Sequence, residues 1–296
     1  VKYNGIVTCI CSVAIITLST SCHPAPRVVH AGPVTAVLGA FEREVTLLED
    51  QLAGRQEHEI EGIRFVTGRL NGQNAVVAWT GVGKVNAAMT TTLLIEHFKP
   101  KQIIFTGIAG AVNPELRPGD IVIAEKTAHH DMGTVWPEGL FVKGVKSRLD
   151  GQENPVFFPA DRQLVRFAQQ AADRAALERI ETTEGGRAPR IIKGIIVTGD
   201  AFIASADKCA ELRKKLEADA VEMEGAAVAQ ICYQRGIGHL VIRSISDNAD
   251  EDAVLDKQMF YILAARNSAD LVADIVGLLG SEAGIKTTSE ADLPRK

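Results

Sequence analysis

From Val34 onward the chain alternates between two hydrophobic rhythms. Short runs of consecutive apolar residues suit strands buried on both faces, and longer segments with apolar positions every three to four residues suit amphipathic helices. Val34–Gly39 reads as a buried strand and Glu42–Leu52 as the helix that follows it. Arg64–Thr67 and Asn74–Thr80 read as a strand pair turning at Asn71-Gly72, a dipeptide that accepts the left-handed backbone of a tight hairpin. A helix is predicted over Lys84–Phe98, stopped by Pro100, and strands over Gln102–Thr106, Asp120–Ala124, Gly194–Thr198, Ala220–Glu222 and His239–Ser244. Helices over Asp207–Leu216, Gly225–Arg235 and Lys257 to Leu279 complete the series. The loosest stretch runs from Gly133 to Pro189, broken by Pro137-Glu138-Gly139 and Glu184-Gly185-Gly186. It holds one helix, Asp161 to Ala176, with Asp161 as its cap.

Strands separated by helices of this length imply parallel pairing and an α/β domain of three layers, α/β/α, around a mostly parallel or mixed central sheet. Composition agrees, since 46% apolar and 23% charged residues supply a large core. The net charge of −5, without a Lys/Arg-rich run, disfavours nucleic acid as a partner, because counterion release needs clustered cations. A small molecule is the better expectation.

The first 22 residues differ from the rest. Lys2 is followed by the uncharged, mostly apolar run Ile6 to Leu18, the length of a signal-peptide core. Ser19-Thr20-Ser21 then precedes Cys22 as small residues precede the lipidated cysteine of bacterial lipoproteins, although Ser19 stands where Leu is usual. The expectation is a signal over 1–22, a linker over 23–33, the folded domain over 34–282 and a disordered polar tail over 283–296. The protein is then exported, periplasmic or membrane-anchored through a lipid on Cys22; an ordinary cleaved signal or a cytoplasmic protein is the alternative. Of five cysteines, Cys9, Cys11 and Cys22 lie in this leader, while Cys209 and Cys232 fall in helical patterns without metal-ligand spacing. No metal site and no cofactor is expected.

Candidate chemistry gathers at strand ends. Ile242-Arg243-Ser244-Ile245-Ser246-Asp247 is a strand running into polar groups at its carboxyl end, where open α/β sheets place ligands. Asp247 suits a tuned general acid there, or a cap of the next turn. Val221-Glu222-Met223-Glu224-Gly225 is a second strand end, and one of its carboxylates offers two acceptor oxygens to a ribose diol. Gly39-Ala40-Phe41-Glu42-Arg43-Glu44 joins the first strand to the first helix. Gly81-Val82-Gly83-Lys84 and Thr106-Gly107-Ile108-Ala109-Gly110 are glycine turns that let a ligand approach the backbone, and neither is a nucleotide fingerprint. Gly199-Asp200-Ala201-Phe202-Ile203 follows a strand and supplies an aromatic face for a flat base.

In this order these motifs resemble the methylthioadenosine/S-adenosylhomocysteine nucleosidases, within the nucleoside phosphorylase superfamily, over Val34 to Gly280. The resemblance implies a nucleoside phosphorylase-like fold, a homodimer and hydrolysis of the bond between adenine and a 5′-thio-ribose in a purine nucleoside. It implies that Asp247 protonates purine N7 with Ser246 orienting it, and that Glu44 activates water with Arg243 nearby. It further implies Glu224 on the ribose diol, Met223 and Glu222 beside it, and Phe41 along the sugar. It implies that the adenine ring stacks on Phe202 while the Ile203 backbone reads the base edge, and Val82 and Ile108 of the two glycine turns join the substrate site. Two positions depart from the family. Ile108 replaces a Ser or Thr whose hydroxyl holds the water, and Lys257 stands where a Phe commonly covers the sugar. A phosphorylase of the same fold and a non-catalytic, adhesin-like or nucleoside-binding exported protein are the rival readings.

Overall fold

The computed structural model describes residues 32–175, 177, 179–180, 187–250, 262 and 264–280. The expected leader with its three cysteines, linker residues 23–31, Lys257 and the tail 283–296 lie outside the described residues.

The first half of the domain is β1 (Thr35–Gly39), α1 (Glu42–Asp50), the meander β2 (Ala53–Ile60), β3 (Ile63–Leu70) and β4 (Gln73–Trp79), α2 (Lys84–Phe98) and β5 (Gln102–Phe105). Then come β6 (Ile108–Ala111), β7 (Ile121–His129), the hairpin β8 (Gly133–Trp136) and β9 (Gly139–Val142), β10 (Phe157–Pro159) and α3 (Arg162–Ala172). The chain continues with β11 (Ile191–Thr198), α4 (Ala206–Leu216), β12 (Ala220–Glu222), α5 (Gly225–Arg235) and β13 (Gly238–Asp247). Residues 264–280 form a final helix.

Period-two alternation in the strands separates the layers. Ala36 and Leu38 of β1, Val76 and Ala78 of β4 and Ile103 and Phe105 of β5 face Ala87, Leu94 and Phe98 of α2 and Val228 and Cys232 of α5. Their neighbours Val37, Val77 and Ile104 face Val45 and Leu48 of α1, Leu164 and Phe167 of α3, and Leu271, Val272 and Ile275 of the last helix. The same strands are thus covered on both faces, as the apolar runs imply. Asp161 caps α3, its carboxylate accepting from the backbone N–H groups of Gln163 and Leu164. The Asn71-Gly72 turn has positive φ at both residues (46° and 81°) and joins Leu70 directly to Gln73.

The eleven strands run in the order β10-β7-β11-β12-β6-β13-β5-β1-β4-β3-β2. Pairing is mixed: β1 is parallel to β4 and β5, while β6–β12 and β7–β13 are antiparallel. The ladder is not simply open. The first half of β13 pairs with β5, and its second half leaves for β6 and β7. Strands β7, β11, β12, β6 and β13 therefore close into a ring at one end of the sheet. The strand expected over Asp120–Ala124 runs on to His129, past the charged pair Glu125-Lys126 that interrupts its apolar pattern.

Candidate active site

Glu44 sits in the first turn of α1 and turns its carboxylate back toward the chain. Oε2 accepts from the N–H groups of Ala40 (2.6 Å) and Phe41 (3.0 Å), and Oε1 from the N–H of Ile108 on β6 (3.1 Å). The side chain is buried. Burial raises its pKa, against the opposing pull of Arg243 and these three donors. Arg243, on β13, is fully buried. It donates to the Thr106 carbonyl and to Glu222 Oε2, reaches within 3.6 Å of Glu224 Oε2, and stacks 4.2 Å from the centre of the Phe105 ring. Burial opposes its charge, but Glu222, Glu224 and Glu44 outweigh that and hold its pKa above the ordinary arginine value. Gly107 makes this approach possible: a Cβ there would lie 2.2 Å from Arg243 Nη1 and 2.7 Å from Glu44 Oε1.

Glu222 ends β12 and folds over the start of α5. Its oxygens accept from the Thr198 hydroxyl, the N–H of Glu224 (3.0 Å), the N–H of Gly225 (2.7 Å) and Arg243. Its acceptor capacity is spent inside the protein. Glu224, the residue before α5, is held differently: among the described residues Oε1 accepts from the N–H of Gly83 (2.9 Å) and Oε2 lies 3.6 Å from Arg243. Burial, then the charge of Glu222, push its pKa up to about 8, while Arg243 and the Gly83 N–H pull the other way.

Asp247 closes β13 after a register shift in its pairing with β6, where Ile245 faces Ala109 and Asp247 faces Gly110. Ser246 is the extra residue of this bulge. In a regular strand Ser246 and Asp247 would point to opposite faces; the bulge brings them together, and the Ser246 hydroxyl donates to Asp247 Oδ2 at 2.6 Å. Oδ1 accepts from the N–H of Ala249 (2.9 Å). A cavity of about 360 Å³ opens beside these groups. Phe41, Val82, Ile108, Phe202 and Met223 give its walls an apolar character, and Glu224, Ser246 and Asp247 supply its polar groups. It lies at the carboxyl ends of β1, β4, β11, β12 and β13, where such sheets bind ligands.

The family model for the phosphorylase superfamily matches residues 34–277. A 5′-methylthioadenosine/S-adenosylhomocysteine nucleosidase from Geobacillus kaustophilus is 39% identical over 248 residues, covering 82% of this chain and 97% of that one. This chain belongs to that nucleosidase family. Its fold is similar to the Neisseria meningitidis nucleosidase solved with methylthio-immucillin-A (TM-score 0.71, 36% identity, 82% of this chain and 98% of that one). A Helicobacter pylori futalosine hydrolase is similar as well (TM-score 0.68, 29% identity, 82% and 97% covered).

Most residues singled out from the nucleosidase resemblance line one cavity. Three do not. Glu44 and Arg243 lie behind its wall, Glu44 bonded to the backbone of the lining residue Ile108. Ile203, expected to read the base edge through its backbone, packs its side chain against the cluster of Ile195, Val197 and Leu212. Glu222 lines the cavity, but its carboxylate holds α5 and Arg243. Sequence reasoning missed Thr198, whose hydroxyl both donates to Glu222 and accepts from the N–H of Ala226. It also gave no role to Gly110, where a Cβ would lie 2.8 Å from Asp247 Oδ1. The glycine in the Thr106–Gly110 turn was the available signal for Gly110; Thr198 gave none. Among the described residues no group of three or more His, Cys, Asp or Glu side chains is arranged to hold a metal ion.

Proposed function

We propose that this nucleosidase hydrolyses the N-glycosidic bond of 5′-methylthioadenosine, S-adenosylhomocysteine or both, releasing adenine and a 5-thioribose. The observation that carries the reading is the meeting of Asp247, Glu224 and Phe202 around one cavity, with Glu44 behind its Ile108 wall. Adenine leaves readily only when N7 is protonated, and Asp247 in its neutral form supplies that proton, with Ser246 fixing the carboxyl. Glu224 accepts from the two ribose hydroxyls. Three of the four acceptor positions of Glu44 are taken by backbone N–H groups, which leaves one for a water to be aligned and deprotonated. Phe202 offers its face to the base. Ile108 adds no hydroxyl to hold the water, so that task falls to Glu44 in this reading.

Hydrolysis is favoured over phosphorolysis by the lining itself. Among the described residues no Lys, Arg or His lines the cavity, and the terminal nitrogens of the nearby Arg243 are engaged by Glu222 and Thr106. A phosphate dianion would find no cationic anchor among these lining residues. The test is adenine release from methylthioadenosine, S-adenosylhomocysteine, 5′-deoxyadenosine and a futalosine-like nucleoside, with and without phosphate. Release without phosphate is expected; strict phosphate dependence would reassign the chain as a phosphorylase, and no release would favour a binding protein.

We further propose export, with lipid on Cys22, on the strength of the Ile6 to Leu18 run and the residues before the cysteine. A homodimer fits the exposed apolar side chains Val85 and Met89 of α2 and Trp136 and Phe141 of β8–β9, which a second copy would cover.

A further inference from the structure

Two walls of the cavity are tied together by residues that do not line it. Val82 stands in the turn before α2, and Phe202 in the loop after β11. The backbone N–H of Lys84, first residue of α2, donates to Asp200 Oδ1 at 2.8 Å. The N–H of Asp200 donates to Asp131 Oδ2 at 2.9 Å, and Lys84 Nζ donates to Asp131 Oδ1 at 2.6 Å while lying 3.7 Å from Asp200 Oδ2. These contacts close a ring of three residues drawn from α2, the loop after β11 and the bend after β7. The turn is gripped from inside as well, through the Gly83 N–H and Glu224. Gly83 has φ +93°, and its Cβ position lies 3.2 Å from Asp200 Oδ1, so the turn and the loop approach closely only without a side chain there.

We propose that Asp131 is a positioning residue: with Lys84 and Asp200 it forms a clamp that fixes the spacing between the Val82 wall and the Phe202 wall. Its substrate arm rests on the function proposed above. A clamp at this place acts on how snugly the nucleoside is held between sugar wall and base wall. It does not touch Asp247 or Glu44, so it governs affinity rather than the chemical step. The three side chains are 18%, 32% and 48% exposed, which leaves the ring open to screening by salt.

The experiment compares Asp131→Ala, Asp131→Asn, Lys84→Met and the Asp131→Ala/Lys84→Met pair with the wild type, by amide hydrogen exchange and by steady-state kinetics on methylthioadenosine. In Asp131→Ala, exchange should speed up at Asp200 and at Lys84 and stay unchanged along β13. KM should rise about three- to tenfold with kcat within about twofold, as for loss of a partly exposed charge pair. Asp131→Asn should recover part of the loss through its remaining acceptor oxygen, and the double variant should be little worse than either single one. Unchanged exchange at Lys84 overturns the clamp, as does a fall in kcat at constant KM. If the wild type does not cleave the nucleoside, the proposed function fails while the exchange measurements still decide the clamp.

Discussion

Replacing Arg243 by Met probes the charge arrangement of the site at its centre. The guanidinium is fully buried and is the cation that faces Glu222, Glu224 and Glu44. Met keeps much of the volume and the packing against Phe105, but it leaves the Thr106 carbonyl without this donor and Glu222 without its charged partner. Removing one member of a buried ion pair costs about 3–5 kcal/mol, because the remaining charge is left uncompensated. Against a whole-domain stability of about 5–15 kcal/mol, that is a large loss. Arg243→Lys, which keeps the charge but not the planar fork, should lose less, about 1–3 kcal/mol.

The loss should depend on pH, and its sign follows from the carboxylates. Glu44 and Glu224 already have pKa values above the ordinary 4.5, Glu224 at about 8, and Arg243 lowers both. Without Arg243 they rise further. A carboxyl with a raised folded-state value favours the folded state fully below its unfolded value, and that contribution disappears as pH rises through the folded value. The gap between Arg243→Met and wild type should therefore be smallest near pH 5 and widen toward pH 9. Urea unfolding at pH 5.5 and 8.5 measures it. A loss below about 1 kcal/mol at pH 8.5, or a gap that does not grow with pH, would refute this account.

Asp247→Asn keeps the shape and the acceptor for Ala249 but carries no acidic proton. Turnover should fall about 10²–10⁴-fold with adenine binding much less affected, and a folded variant within a few-fold of wild type would reduce Asp247 to a structural cap; Glu44→Gln should slow turnover comparably. Intact-mass analysis of the native N-terminus should find the chain starting at Cys22 with added lipid. Cys22→Ser should release it from membranes, and an unprocessed leader on a soluble protein would contradict export.

The elements that position the site were legible where the apolar pattern was clean. β1, α2, β5, α3 and α5 fall within a few residues of their predicted bounds, because both sheet faces are buried and each helix has a defined start or stop. β2 was missed because its sequence AGRQEHEI leaves nearly every residue exposed at a sheet edge, without apolar alternation. The β8–β9 hairpin was missed for a related reason, since its Val135, Trp136 and Phe141 are exposed. The ring closure was beyond the sequence, because it depends on β13 changing partners midway, and ten extended residues carry no mark of which neighbour each half will find. At the site, the motifs named residue types and chain order but not division of labour. Glu222 and Glu224 look equivalent at i and i+2, and only their partners separate a saturated carboxylate that fixes α5 from one with capacity left for a sugar.

That division bears on how the site does its chemistry. Three carboxylates face one buried guanidinium, so ionising all of them would leave the interior with an excess of negative charge. Burial raises the values of Glu44 and Glu224, and at Glu224 the charge of Glu222 adds to the rise. Glycosidic cleavage reverses the circumstances. In the proposed reaction positive charge builds on the ribose at the transition state, and the two ribose hydroxyls would donate to Glu224, both of which favour ionised carboxylates. On the proposed function the fold holds a charge distribution that costs least when the sugar is cationic. Glu222 and Arg243 are fixed by their mutual contact and by the backbone of α5, so in the proposed reaction they would keep the background charge constant while Glu224 responds to the sugar. Among the described residues Glu224 accepts from one backbone donor where Glu222 accepts from several groups, and for this reason Glu224 rather than Glu222 is the residue proposed to meet the diol.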